Sequence, residues 1–322
     1  MTWYWLAIPI GFLIDLAIGD PEKIPHPVVF IGKLINFLYK KIGHADNAAS
    51  EKLAGGLIWL IVVAVSTLIP LAILLICGKI SFWLRLAVES LMCWQILATK
   101  GLRDAAMKVY YALKNGTIDD ARKAVSMIVG RDVSALDEAG ITRAAVETIA
   151  ENSSDGIIAP LLFLAIGGAP LGFFYKAVNT MDSMLGYTDP PYTNIGFVPA
   201  KMDDLANFWP SRISGLLMLL AGRIIGMDYE NGRKIFKRDR YNHASPNSAQ
   251  TESACAGLLG VRLAGDAYYH GVLHKKKYIG DALREIEIED IPRAGKLLYV
   301  MCVLGLLLAV IIAVAKALLL TI

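Results

Sequence analysis

The residues best suited to chemistry fall in four clusters, and the most informative is a doubled pattern of cation, amide and acid. Lys176-x-x-Asn179-x-x-Asp182 is followed by Lys201-x-x-Asp204-x-x-Asn207, with Asp203 beside it. On a helix each triplet steps back about 60° per member, so one third of the helix surface offers all three groups. Phosphate is held by cations, and Mg²⁺ by one or two carboxylates together with phosphate oxygens. A plain solvated face is the competing explanation. The turns flanking the patches, Thr188-Asp189-Pro190-Pro191 and Phe208-Trp209-Pro210, keep an enclosed site in balance with it.

A second cluster is Glu147-x3-Glu151-Asn152-Ser153-Ser154-Asp155-Gly156. A helix end explains its Asn, Ser and Gly. It does not explain three acids, because like charges one turn apart repel and acids disfavour a helix C-terminus. A divalent cation would relieve that repulsion. A third, Arg238-Asp239-Arg240-x-x-His243-x-Ser245-Pro246-Asn247-Ser248 with Glu252 beyond, resembles an anion site at a helix N-terminus, or simply an N-capped helix. The fourth, Gly19-Asp20-Pro21 leading to His26-Pro27-Val28, reads as a helix stop and a turn. Asp15 lies inside an apolar run, where a carboxylate costs about 2.5–3.5 kcal/mol and normally faces a cavity or a partner. His270 and His274 have no third metal ligand near them and read as surface residues. No P-loop is present, since Gly32-Lys33 lacks the upstream glycine and the following hydroxyl residue. GxGxxG, HExxH and GxSxG are absent too, so any nucleotide chemistry needs a non-standard site.

The elements that must position these clusters are apolar. The chain has 322 residues, 55% hydrophobic and 19% charged, whereas soluble domains run near 45–50% and about 25%. A net charge of +3, with aromatics in apolar runs and not among basic residues, excludes a nucleic-acid groove. Its four cysteines are far apart and read as small apolar fillers. Crossing a bilayer takes about 20 apolar residues. Trp3–Gly19 is slightly short and, carrying Asp15 with no cleavage site, reads as a retained first helix; Leu57–Cys77 and Leu297–Leu320 are clean spans. Ile157–Tyr175, interrupted by Pro160, Gly167, Gly168, Pro170 and Gly172, and Ile213–Met227, carrying Arg223, read as broken, site-forming segments. Phe82–Thr99, with Arg85 and Glu89, reads as interfacial.

About five apolar helices are thus expected, in an all-α polytopic membrane protein forming a single integral domain over 1–322. Residues 100–156 and 228–296 read as amphipathic helical regions. In the first, Asn115-Gly116 stops a helix, Thr117 with Asp120 caps the next, which ends at Gly130, and Ser134 with Asp137 repeats the device. The Lys and Arg content of both regions places them in the cytoplasm, although the loop after the first helix is lysine-rich as well.

In this order the clusters resemble the CbiB/CobD family, the adenosylcobinamide-phosphate synthases. The resemblance runs through DLAIGDPEKIPHPVVFIG (15–32), ARKAVSMIVGRD (121–132), ETIAENSSDGIIAP (147–160), YKAVNTMDSMLGY (175–187), AKMDDLANFWPSR (200–212) and RDRYNHASPNSAQTE (238–252). Small departures, such as Ser248-Ala249 where a glycine is usual, remove no charged residue of these stretches. The resemblance implies a multi-pass enzyme of the cytoplasmic membrane with its site facing the cytosol. It implies an ATP- and Mg²⁺-dependent ligase that joins adenosylcobyric acid to aminopropanol phosphate, or a related amino-alcohol phosphate, through an amide. It leaves room for association with other membrane enzymes of cobalamin assembly. On that reaction, the residue types assign Lys176 and Lys201 to ATP phosphates, and Asp182, Asp203 and Asp204 to the metal. Arg131 and Arg238 suit the second phosphate, Asn179, Asn207, Arg212 and Asn247 suit nucleotide and phosphate binding, and Glu151 or Asp155 is the base or a second metal ligand. The alternative is a non-catalytic, AmpE-like membrane sensor on the same scaffold, which would be expected to have lost the Lys/Asn/Asp patches.

Overall fold

The computed structural model describes residues 3–21, 23–43, 47–186, 191–269 and 271–319. Thr188-Asp189-Pro190 of the expected turn, and His270, lie outside them. Packing divides the chain into two compact units. The first comprises the chain up to Ala98, Ala159–Asn207 and the chain from Leu306; the second comprises Thr99–Ile158 and Phe208–Gly305.

In the first unit α1 (Ala7–Ile18) ends at Gly19, whose φ of 67° only glycine takes readily. The Gly19 carbonyl accepts from Trp94 Nε1 at 3.0 Å. A Cβ at Gly11 would stand 2.5 Å from Cys93 Cβ, so glycine there lets α1 lie against α4 (Phe82–Ile96). His26 caps α2 (Pro27–Ile42), with proline at the first helical position. Asn47 caps α3 (Ala48–Ile80), and Ser81 ends it and caps α4, so α3 outruns the expected Leu57–Cys77 at both ends. Its exposed side carries Leu57, Leu60, Leu68, Ile69, Leu75 and Ile76. A stripe of that length is covered by lipid, not water. α8 (Ala159–Leu185) packs Ala177, Val178, Met181 and Leu185 against Ile31, Ile35, Ile58 and Val62. α9 (Phe197–Ala206) follows it.

The second unit holds α5 (Thr99–Asn115), α6 (Ile118–Ser126), α7 (Glu138–Ser153), α10 (Phe208–Ile224), α11 (Tyr229–Asp239) and α12 (Ala249–Leu259). The Thr117–Asp120 capping box forms as expected, but α6 stops at Ser126, short of Gly130. The cap of α7 is Asp137, which accepts from Gly140 N at 2.8 Å, and Ser134 plays no part in it. The expected helical region 228–296 also contains four short strands: β1 (Leu263–Ala264) pairs with β4 (Tyr278–Ile279), and β2 (Ala267–Tyr269) with β3 (Val272–His274). α12 is buried along its whole length. It crosses α11 where a Cβ on Gly257 would meet Gly232 Cα at 2.7 Å.

Among the described residues three helical runs are long and apolar enough to cross a membrane: α3, Glu138–Leu185 and α13 (Asp290–Leu319), with α1 as a shorter apolar helix. The protein is an all-α polytopic membrane protein. Of the expected Ile213–Met227, the part up to Ile224 lies in α10, a 17-residue helix with Arg212 in its first half and Arg223 in its last turn, which is not among the helices long and apolar enough to cross. The run Glu138–Leu185 is broken twice, as its glycines and prolines suggested. Ser154–Ile158 forms a π turn, and Gly168 takes φ 65°. At the second break Glu89 Oε1 accepts from Ala169 N at 3.4 Å, and Lys316 Nζ donates to the Ile166 carbonyl. Gly168→Ala places a Cβ 2.5 Å from Glu89 Oε1 on a backbone that disfavours side chains. We expect it to cost about 1–3 kcal/mol, read as a lower melting temperature in detergent. Gly130→Ala, with nothing within 4 Å of its Cβ, should leave melting unchanged.

Candidate functional site

Each unit carries a polar cavity. In the first, a cavity of about 900 Å³ is lined by Asp20, His26, Lys33, Lys176, Asn179 and Ser183, with an apolar side that includes Ile24, Phe30 and Trp94. The loop between α1 and α2 supplies Asp20, Ile24 and His26, α2 supplies Phe30 and Lys33, α4 supplies Trp94, and α8 supplies Lys176, Asn179 and Ser183. The cavity-lining face of α8 runs 176, 179, 180, 183, the i, i+3, i+4, i+7 course of one helix face. Asp182 stands about 120° round the helix from Lys176 and is not among the lining residues. A strict three-residue spacing drifts off a face, which is why the expected triplet parts company with the cavity.

Behind Asn179 runs a chain of buried polar groups. Tyr175 Oη donates to Asn207 Oδ1 at 2.8 Å, Asn207 Nδ2 donates to Asp203 Oδ2 at 3.0 Å, and Asn179 Nδ2 reaches Asp203 Oδ1 at 3.5 Å. Asn207 is fully buried, so its role is to hold Asp203, not to touch a ligand. Lys201 is exposed, 3.6 Å from Asp204, and neither lines the cavity. Among the described residues no three His, Cys, Asp or Glu side chains gather as a metal-holding group. Asp182, Asp203 and Asp204 therefore form no closed carboxylate cage.

His26 is held in one tautomer. Its Nδ1 accepts from Val28 N at 3.2 Å as the cap of α2, so in the neutral ring Nε2 carries the hydrogen. Burial, opposed by Asp20 and aided by Lys176, lowers its pKa below the ordinary 6.5.

In the second unit a cavity of about 260 Å³ is lined by Arg131, Glu147, Glu151, His243, Glu252 and Lys276, with Tyr269 among its other walls. Arg131 pairs with Glu147 at 2.9 Å, and Glu147 Oε1 also accepts from Ala264 N at 2.6 Å. Glu151 Oε1 accepts from Ser248 Oγ at 2.8 Å. His243 repeats the His26 arrangement: Nδ1 accepts from Ser245 N at 3.1 Å, and burial, opposed by Glu151, lowers its pKa. Asp155 lies in the π turn, half-buried and not among the lining residues. Arg238 grips Asp239 and Asp281 at 2.7 and 2.9 Å, so its fork is taken by carboxylates where a phosphate was expected. Arg212 stacks on Phe208, 3.7 Å from the ring centroid, and donates to Asn247 at 3.0 Å; the pair braces the turn before α12 and lines neither cavity. His274 is half-buried against Tyr269, not a free surface residue.

Residues of the second and third clusters of the sequence thus meet in this pocket, and the fourth, with Asp20 and His26, meets Lys176 and Asn179 in the other. Lys33 and Ser183 were legible in principle, each seven residues beyond His26 and Lys176. Tyr269 and Lys276 were not, since a β-hairpin brings them in.

Fold and cavities together define a polytopic membrane protein with charged groups lining a cavity in each of its two units. The chain matches the family model described as CobD/Cbib protein over residues 8–298. It belongs to the CobD/CbiB family. It is 46% identical over 307 residues to the cobalamin biosynthesis protein CobD of Clostridium perfringens, covering 95% of this chain and 97% of that one. It is 42% identical over 306 residues to the cobalamin biosynthesis protein CbiB of Salmonella typhimurium, covering 95% and 96%. No solved structure matches it significantly.

Because folded His26 and His243 resist protons that the unfolded chain accepts near pH 6.5, the stability these two rings contribute falls as pH drops through that value. His26→Asn keeps a good cap without an imidazole. We expect the variant to lose less of its melting temperature between pH 7 and pH 5 than wild type. An unchanged loss would remove His26 from that account.

Proposed function

We propose that this protein is an adenosylcobinamide-phosphate synthase, an ATP-dependent amide ligase of cobalamin biosynthesis in the cell membrane, with its chemistry facing the cytosol. The observation that carries the proposal is the cavity of the first unit. At roughly 30 Å³ for each water-sized group, about 900 Å³ has room for a nucleoside triphosphate. Its Lys33, Lys176 and Asn179 suit phosphate, the His26 N–H adds a donor without adding charge, and the apolar side suits a base. The relatives named for cobalamin biosynthesis support the pathway.

A carboxylate resists amines until one of its oxygens becomes a leaving group. ATP supplies one by transfer of its terminal phosphoryl group to the carboxylate of adenosylcobyric acid. Lys176 and Lys33 neutralise charge that spreads over the transferring group. Lys201, exposed and off the cavity, takes no part in this reading. Mg²⁺ needs only one or two carboxylates beside phosphate oxygens. Asp203, which Asn179 of the cavity wall reaches at 3.5 Å, would hold the ion, and Asp204, off the cavity, would not; an ion held there would offset phosphate charge. Arg131 is suited to the phosphate of the amino alcohol, and Glu151 to the role of base.

The test is ATP-dependent conversion of adenosylcobyric acid by the protein reconstituted in membranes. Lys176→Ala and Asp203→Asn should each reach the membrane at normal levels and lose on the order of a hundredfold in rate. Asp182→Asn, off the cavity face, should stay within a few-fold. Rates near wild type for Lys176→Ala and Asp203→Asn together would return the cavity to a structural role.

A further inference from the structure

The pocket of the second unit holds an acid to which the ligase reaction has so far given no task. α12 is buried throughout: Gln250 donates to the Arg240 and Pro246 carbonyls, and Thr251 and Ser253 to carbonyls of their own turns, while Gln250 Oε1, which lacks a partner among the described residues, does not line the pocket. Glu252 is 5% exposed and lines the pocket, and among the described residues its Oε2 has no hydrogen-bond partner. A buried carboxyl oxygen without a partner is costly, and such groups in native proteins call for an explanation.

The neighbours narrow that explanation. Glu147 is spoken for by Arg131 and the Ala264 amide. Glu151 takes its hydrogen bond from a neutral hydroxyl, that of Ser248. Lys276 donates to Tyr269 Oη at 2.8 Å, also a neutral partner. His243, with Nδ1 occupied, presents an N–H and no lone pair. One carboxylate and one ammonium thus hydrogen-bond to neutral groups, with an orphan acid beside them. At about 30 Å³ per water-sized group, 260 Å³ holds a small molecule and not a nucleotide. A ligand that carries a cation at one end and an anion at the other fits such a lining.

We propose that Glu252, together with Glu151, receives the ammonium group of the amine substrate and takes one of its protons as the amide forms. Arg131 and Lys276 receive the substrate's phosphate. The proposal rests on the ligase reading for its chemistry, though not for the binding it asserts. Burial, with Glu151 and Glu147 adding to it, raises the Glu252 carboxyl well above the usual carboxylate range and so favours its neutral form until a cation enters. Entry of an ammonium displaces that proton to water and leaves a carboxylate paired with the cation. In the attack the nitrogen–carbon bond forms at the acyl phosphate, and the carbon–oxygen bond to phosphate breaks. Of the two protons the nitrogen sheds, one returns Glu252 to its neutral form and the other leaves with inorganic phosphate.

Binding to the full-length protein in nanodiscs, without ATP, tests this by calorimetry with two probes: 2-aminoethyl phosphate and ethyl phosphate, which differ in the amine. Wild type should prefer the aminated ester by tenfold or more, on the order expected for a desolvated charge pair. Glu252→Gln, nearly isosteric, should lose most of that preference and keep its affinity for ethyl phosphate. No preference in wild type, or one that survives E252Q, overturns the proposal. If E252Q does not reach the membrane, E151Q carries the test with the same two outcomes. Amide formation by wild type, measured beside it, separates the failures. Activity without a Glu252-dependent preference sinks this inference alone. A Glu252-dependent preference without any activity keeps the ammonium site and sinks the ligase reading, and with it the proton-transfer step.

Discussion

Between Ile166 and Ala169 a membrane-length helix gives up its own hydrogen bonds, and two charged side chains from neighbouring helices take their place. Lys316 sits at the carbonyl end of the upper half, and Glu89 at the amide end of the lower half. Each charge has the sign that the adjoining helix dipole favours. In lipid, freed backbone groups have no water to turn to, so a break of this kind persists only where protein satisfies it. The break sets the azimuth of everything after it. From Ala169 onward α8 turns Ala177, Val178, Met181 and Leu185 to the apolar core, and Lys176, Asn179, Thr180 and Ser183 to the cavity. Glycine at 168 is required twice, by its positive φ and by the approach of Glu89.

The second unit solves a related problem with the π turn at Ser154–Ile158. A π turn inserts a residue into helical phase and rotates the downstream residues by about 100°. Glu147 and Glu151 precede it, share one helix face and line the pocket. Asp155 falls inside it and leaves that face. The unit's other organising element is α12, an all-buried helix that could be made of alanine and leucine alone. That it carries Gln250, Thr251, Glu252 and Ser253 instead means its polar groups must be answered from within the protein, and of the two left unanswered among the described residues, Gln250 Oε1 and Glu252 Oε2, the second faces the pocket.

How far the sequence reveals this molecule depends on how local each cause is. The capping box at Thr117–Asp120, the interrupted segment around Gly168, the spans at α3 and α13 and the chemical character of the clusters are written in neighbouring residues. So is the pairing of Lys176 with Asn179, one turn apart. The features that escape are set by distance in the chain. Arg238 looks like a phosphate ligand until Asp281, more than forty residues on, occupies it. Asn207 looks like a ligand contact until Tyr175 and Asp203 close around it. The hairpin strands are only two or three residues long, too short for an alternating pattern to stand out, yet they deliver Tyr269 and Lys276.

His26 and His243 share a device that neither composition nor spacing announces. In each the backbone amide two residues on donates to Nδ1, which ties the ring to its loop and leaves Nε2 as the hydrogen-bearing nitrogen. Burial keeps both rings neutral near pH 7. A protonated imidazole would lose the bond to its loop, because Nδ1 could no longer accept. The neutral ring is therefore the form in which loop structure and site chemistry agree. It offers an anion a directed N–H without adding a positive charge to a buried site, where unpaired charge is hard to keep. Lysine and arginine can then supply the charge in each cavity, while the histidines fix direction.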